Sequence, residues 1–235
     1  MIKGIYDAAR SMVMRQRNVE ITANNLANIN TTGFKRSIPF AEVMSRADGN
    51  KEVQITDFTE GEFSETGNPL DLAITERRFF MLETEKGIEI TSNGKFDLSD
   101  DGFLVNEEGY YVVTKRGRVN VLESVLEDNQ TLKINKNGEI VVGGTVIDQL
   151  QIAKVDDQAK LVRSRNQKFY LPNGGYSLAN EDSYQVYQGY LEESNVNPIV
   201  EMQTLISINK DYESAHKLIS SMDTIMGKAR EIGRV

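Results

Sequence analysis

The chain has 235 residues, 39% of them hydrophobic and 26% charged, enough for one large domain or a compact domain with sizeable extensions. It contains no cysteine, which excludes disulfide frameworks and thiolate metal sites, and no apolar run of about 18 residues, so no segment reads as membrane-inserting. The net charge of -8 divides as +4 over residues 1–40, -10 over 41–190 and -2 over 191–235, and an acidic middle excludes a nucleic-acid groove, which needs a basic stripe.

The first segment repeats every seven residues: Ile5, Met12, Val19 and Leu26 share one heptad position. This predicts a helix from Lys3 to about Ile29, roughly 40 Å long at 1.5 Å per residue. Ala8, Ala9 and Ala23 allow close approach of a partner, whereas Arg15, Gln16 and Thr22 keep the seam narrow. Burying four such side chains contributes about 1.5–3 kcal/mol each, and ordering each backbone residue costs about 1–2 kcal/mol. The helix needs partners. Arg10, Arg15 and Arg17 also interrupt the apolar core of a secretory signal, so any export takes another route. Asn24 to Lys35 then closes the helix with amides, threonines and a glycine, a strong helix-ending signal.

Residues 35–69 read as a connector, with Pro39, a short helical patch at Phe40–Met44 and a strand candidate at Val53–Thr56. Asn68-Pro69 marks a turn, because the residue before proline avoids helical geometry. From residue 70 the period becomes two. Strands are predicted at Leu70–Ile74, Phe79–Leu82, Ile88–Thr91, Phe96–Leu98, Phe103–Val105, Tyr110–Thr114 and Val119–Leu122. Others follow at Leu132–Asn135, Glu139–Val142, Val146–Lys154, Lys168–Leu171 and Tyr184–Leu191. Asn93-Gly94 predicts a hairpin, Asp101-Gly102 an acidic hairpin turn, and Glu108-Gly109 leads into Tyr110–Thr114. The fold class is therefore mainly β: one all-β barrel or sandwich over 70–190, with a helix at each terminus.

The last segment, 191–235, opens its helix at Asn197-Pro198, an N-cap followed by the residue best suited to the first helical position. Glu201 near its start and Lys228, Arg230 and Arg234 near its end suit the helix dipole. Leu205, Tyr212, Ile219 and Met226 form one heptad row, and Ile208, Ala215, Met222 and Ala229 form a second. Two apolar rows suit a helix contacted from more than one side.

Both ends resemble the flagellar rod, hook and filament family. Ala9-Arg10-Ser11-Met12 and the run Asn24, Asn25, Leu26, Ala27, Asn28, Ile29, Asn30, Thr31, Thr32, Gly33, Phe34, Lys35 are similar to its N-terminal signature. Gln188–Glu192 and Ser194, Asn195, Val196, Asn197, Pro198, with Glu201-Met202, Tyr212-Glu213 and Lys217, are similar to its C-terminal partner motif. Gly67–Ile74 and Asn93–Phe96 resemble the β-domain motifs of rod proteins. The length and single β domain look like the FlgF and FlgG rod proteins, and Ser194–Pro198 followed by Glu201-Met202 tilts toward the FlgF type. Two departures stand out: Glu76-Arg77-Arg78 occupies a place where the family puts glycines, and Ser92 replaces an arginine before Asn-Gly.

The resemblance implies a structural subunit of the basal-body rod, exported through the flagellar type III export apparatus and associating with itself and other rod subunits. It implies that residues 1–34 and 191–235 are polymerisation helices, disordered before assembly and then paired as a coiled-coil-like layer inside the β domain. It also implies a short hydrophobic export signal, for which Phe40 and Met44 are the candidates, although packing of these two on the β domain is the plainer reading.

No catalytic constellation accompanies these motifs, and no cofactor or metal is expected. Asp97–Gly102 with Glu108 nearly fits a calcium EF-hand loop, but Phe96, Leu98, Phe103 and Val105 alternate as strands where the EF-hand needs helices, so an acidic hairpin turn is expected. His216 is the single histidine, which excludes histidine-based triads and multi-histidine metal sites. The acidic pairs Glu107-Glu108 and Glu192-Glu193 lack a companion base or oxyanion donor, and Asn173-Gly174-Gly175 lacks the lysine of a phosphate loop. The alternative class is a secreted surface- or carbohydrate-binding β module with a helical oligomerisation stalk.

Overall fold

The computed structural model describes residues 2–38, 55–121, 132–172 and 175–232. They form two compact units, between which the chain passes four times. A helical unit comprises Met1–Ile29, Arg36–Asp57 and Val196–Val235, and a β unit comprises Asn30–Lys35 and Phe58–Asn195.

In the helical unit, helix α1 spans Ile2–Ala27 and helix α2 spans Pro198–Ile232. Helix α1 ends where the amides predicted. The Asn28 side chain turns back to donate to the Asn24 carbonyl (2.8 Å), which also accepts from the Asn28 backbone N–H (3.2 Å). Helix α2 starts at its expected cap: the Asn197 side-chain oxygen accepts from the backbone N–H of Ile199 (3.0 Å) and Val200 (3.2 Å). The two helices run antiparallel, with Asn25 meeting Glu201 and Arg15 meeting Asp211. A two-residue ladder, Ser37–Ile38 with Ile55–Thr56, completes the described part of this unit.

In the β unit, the central strand is Phe79–Thr84. It pairs with Gly87–Thr91 on one side and with Tyr111–Thr114 and Ile152–Lys154 on the other. Its four leading apolar residues are all buried because both faces are covered. Phe80 and Leu82 enter one core with Leu72, Ile74, Phe96, Val112, Ile140 and Leu150. Phe79 and Met81 enter the other with Phe58, Ile90 and Phe169. The barrel half of the fold expectation is corrected here. The strand order runs from Val162–Arg163 at one edge to Phe96–Leu98 at the other, and no pairing among the described residues closes it. Right-handed twist accumulates over an open sheet, and without a staggered closing ladder the result is a layered sheet rather than a barrel.

Two further expectations change. The strands flanking Asn93-Gly94 do not pair with each other, so this dipeptide is a corner and not a hairpin. Asp101-Gly102 does turn a hairpin, joining Phe96–Leu98 to Leu104–Asn106, and this is the acidic loop that mimicked an EF-hand. At the family departure, Glu76 (φ 64°) and Arg77 (φ 49°) occupy left-handed geometry that glycine adopts without strain. Two successive non-glycine residues thus carry the conformational cost of this turn.

Candidate functional site: where the terminal motifs converge

The boundary between the units falls inside both signature motifs. Asn24–Ile29 belongs to the helical unit and Asn30–Lys35 to the β unit; Ser194 and Asn195 belong to the β unit and Val196–Pro198 to the helical unit. Each half makes its own buried polar network.

In the helical unit the network centres on Asn25, which is fully buried. Its side-chain oxygen accepts from the Ser37 N–H (2.9 Å), and its NH2 group donates to the Ser37 carbonyl (2.8 Å) and to Glu201 Oε2 (3.2 Å). An amide alone offers a donor pair and an acceptor in this geometry; aspartate has no proton to donate and leucine has neither. Glu201, also fully buried, takes Arg36 Nε at 2.5 Å. A carboxylate this deep in the first turn of α2 is tolerable because a guanidinium and an amide surround it.

In the β unit, Thr32 Oγ1 donates to Asn93 Oδ1 (3.1 Å), and the Gly33 N–H donates to the Glu192 carbonyl (2.7 Å). Gly33 has φ +66°, and a Cβ there would lie 2.5 Å from the Asn93 backbone, so only glycine fits on both counts. Phe34 is buried, its carbonyl accepts from the Asn195 N–H (3.4 Å), and the Arg163 guanidinium stacks 4.9 Å from its ring centroid. Lys35 Nζ binds Glu192 Oε1 at 2.6 Å, with both side chains 3% exposed; it also donates to the Thr59 carbonyl, while Gly61 N–H donates to the same Glu192 oxygen. Arg163 donates to the Lys35 carbonyl, and burial pushes its guanidinium down to about 10, still cationic at neutral pH.

The other predicted site residues sit as follows. Asn24, Ala27, Asn30, Asn197 and Pro198 are exposed; Leu26, Asn28, Thr32, Ser194 and Asn195 are half-buried; Val196 is buried. Ile5 lies on α1, while Met12, Val19, Leu205, Ile219 and Met226 are half-buried and Tyr212 is exposed. Phe40 and Met44 lie outside the described residues. Sequence reading missed Lys35, Arg36, Glu192, Glu201 and Arg163 as network members. The usable signal was the Lys35-Arg36 dipeptide, two adjacent cations with a glutamate available to each beyond residue 190.

Three family descriptions match in chain order: flagella basal body rod protein over residues 5–35, flagellar hook protein FlgE/F/G D1 domain over 73–142, and flagellar basal body rod FlgEFG protein C-terminal over 187–232. The first reaches Lys35 and the last contains both Glu192 and Glu201. The chain is 31% identical to the flagellar basal-body rod protein FlgG of Agrobacterium fabrum over 252 residues, covering 92% of this chain and 94% of that one. It belongs to the flagellar basal-body rod proteins of the FlgF/FlgG type. Among other members, FlgF of Caulobacter vibrioides is 28% identical, covering 97% of this chain and 96% of its own. The hook-basal body complex protein FlhO of Bacillus subtilis is 26% identical and matches end to end. In this rod protein the matched terminal stretches hold Asn25, Lys35, Glu192 and Glu201, whose partners Arg36, Ser37 and Arg163 lie outside them.

Proposed function

We propose that this chain is a non-enzymatic structural subunit of the flagellar basal-body rod that joins its neighbours through the outer apolar faces of α1 and α2. The observation that carries this reading is where the apolar side chains lie. Tyr6 (70% exposed) and Val13 (60%) on α1, and Leu218 (59%) and Ile225 (56%) on α2, meet solvent, as do Ile199, Met202 and Ile206. Helices that leave such rows uncovered gain most of their stability only when other surfaces cover them. Residues 1–34 and 191–235 then act as polymerisation segments, 35–69 as connector and 70–190 as the outer β domain, with a coiled-coil-like layer forming on assembly.

The partners are copies of itself and other rod subunits, reached after export by the flagellar type III apparatus, with Phe40 and Met44 as the export-signal candidates. The FlgF type is preferred, supported by Ser194–Pro198 with Glu201-Met202. The carbohydrate-binding alternative has no support, because the matched families cover both helical ends as well as the β region. Electron microscopy of basal bodies from cells lacking the protein tests the reading. Loss of rod and hook is expected; complete rods in those cells would contradict it.

A further inference from the structure

The seam between α1 and α2 is polar where helix hairpins usually bury apolar rows. Asn25 lies opposite Glu201 and Arg15 opposite Asp211, so the helices pair antiparallel in a single register. The same register sets Thr22 against Thr204, Asn18 against Ile208 and Ser11 against Ala215, in the three-four spacing of a helix face. Among the described side chains of α1, Asn18, Thr22 and Asn25 are buried, at 5%, 0% and 0% exposure. The predicted apolar row of Met12, Val19 and Leu26 is only half-buried beside them. Nor is this seam arranged for stability alone, since the buried Thr22 hydroxyl has no hydrogen-bond partner among the described residues.

Apolar rows that repeat every seven residues fit nearly as well after a slide of seven, so they carry little register information. A slide of one heptad moves α2 by about 10 Å. The polar network opposes such a slide. Sliding would bring Ile208 to Asn25 and strip Glu201 and Arg36 of each other, leaving buried charge uncompensated.

We propose that the buried Asn25–Glu201–Arg36 network is the register key of the helix hairpin. It sets which turn of α2 faces which turn of α1 within one chain and leaves Tyr6, Val13, Leu218 and Ile225 outward. This inference rests on the hairpin of a single chain and stands apart from the rod reading.

The absence of cysteine makes a disulfide test direct. Full-length chains carrying Ser11→Cys with Ala215→Cys report the observed register, and Asn18→Cys with Ala215→Cys report a slide of one heptad. Both pairs are oxidised at low concentration in the native background and with Asn25→Leu, Arg36→Leu and Glu201→Leu combined, with helix content followed by circular dichroism. The ratio of in-register to slipped disulfide should be high in the native background and fall at least tenfold without the key. Arg15→Leu with Asp211→Leu, at the other end of the seam, should leave the ratio unchanged. An unchanged ratio in the key-less chain would overturn the proposal. So would loss of both disulfides together with helix content, which would make the network a general stabiliser and not a register key.

Discussion

At Gly94 the reason for glycine is distance, not dihedral freedom. A Cβ there would lie 1.7 Å from the Leu72 carbonyl oxygen, and Leu72 N–H already donates to the Gly94 carbonyl at 2.9 Å. Gly94→Ala must push two backbone segments apart inside the larger core. It should cost at least the upper end of the about 1–3 kcal/mol typical of core overpacking, read as a shift in the urea midpoint. Asn-Gly was legible as a turn signal, but the local sequence does not distinguish a hairpin from a corner; the partner that fills the missing side chain's place lies 22 residues earlier. Lys35 and Glu192 make the opposite lesson. Glu192→Ala strands a buried ammonium and should cost about 3–5 kcal/mol. The pair Lys35→Met with Glu192→Leu removes both charges and should recover most of that loss. A double variant as unstable as the single one would mean that the hydrogen bonds to Thr59 and Gly61, not charge balance, dominate this site.

The two helices were legible as elements, and so were their ends. Asn197 caps through its own side chain, and the amides after Leu26 close α1, both local chemistry that sequence records directly. Which face they bury was not legible. The heptad row of apolar residues invites the assumption that it forms the seam, yet burial follows the partner, and the partner of α1 presents Glu201 and Asp211. Strand positions around Phe79–Thr84 could be read from their apolar runs, whereas the pairings of Phe63–Glu65 with Tyr190–Glu192 and of Ile152–Lys154 with Phe79–Thr84 join distant segments that carry no local mark. Helix α2 has 35 residues against 26 in α1, so from about Ile225 onward it extends past its partner. Amide hydrogen exchange in the monomer should therefore be slowest near Asn25 and Glu201 and fastest beyond Met226. Uniform protection along α2 would contradict this gradient.

At the scale of the molecule, the split of each signature motif between two units changes how the termini should be dissected. Deleting residues 1–29 removes α1 but keeps Phe34 and Lys35 in the β unit. Deleting 1–35 also exposes the site of Phe34 and leaves Glu192 buried without its cation, so the β unit should be less stable in the longer deletion by about 3–5 kcal/mol in thermal or urea unfolding. Equal stabilities would show that Asn30–Lys35 adds nothing to that unit. On the other face of the helices, the proposed function assigns side chains that do little for the single chain to joining it to its neighbours. Val13→Asp with Leu218→Asp alters two exposed positions and should leave the monomer's unfolding free energy within about 0.5 kcal/mol of the native value. Introduced as the sole copy in motile cells, this full-length variant should be made and exported yet yield basal bodies without a complete rod or hook in electron micrographs. Complete rods and hooks, assembled from a variant whose outer helix faces carry these charges, would contradict the account.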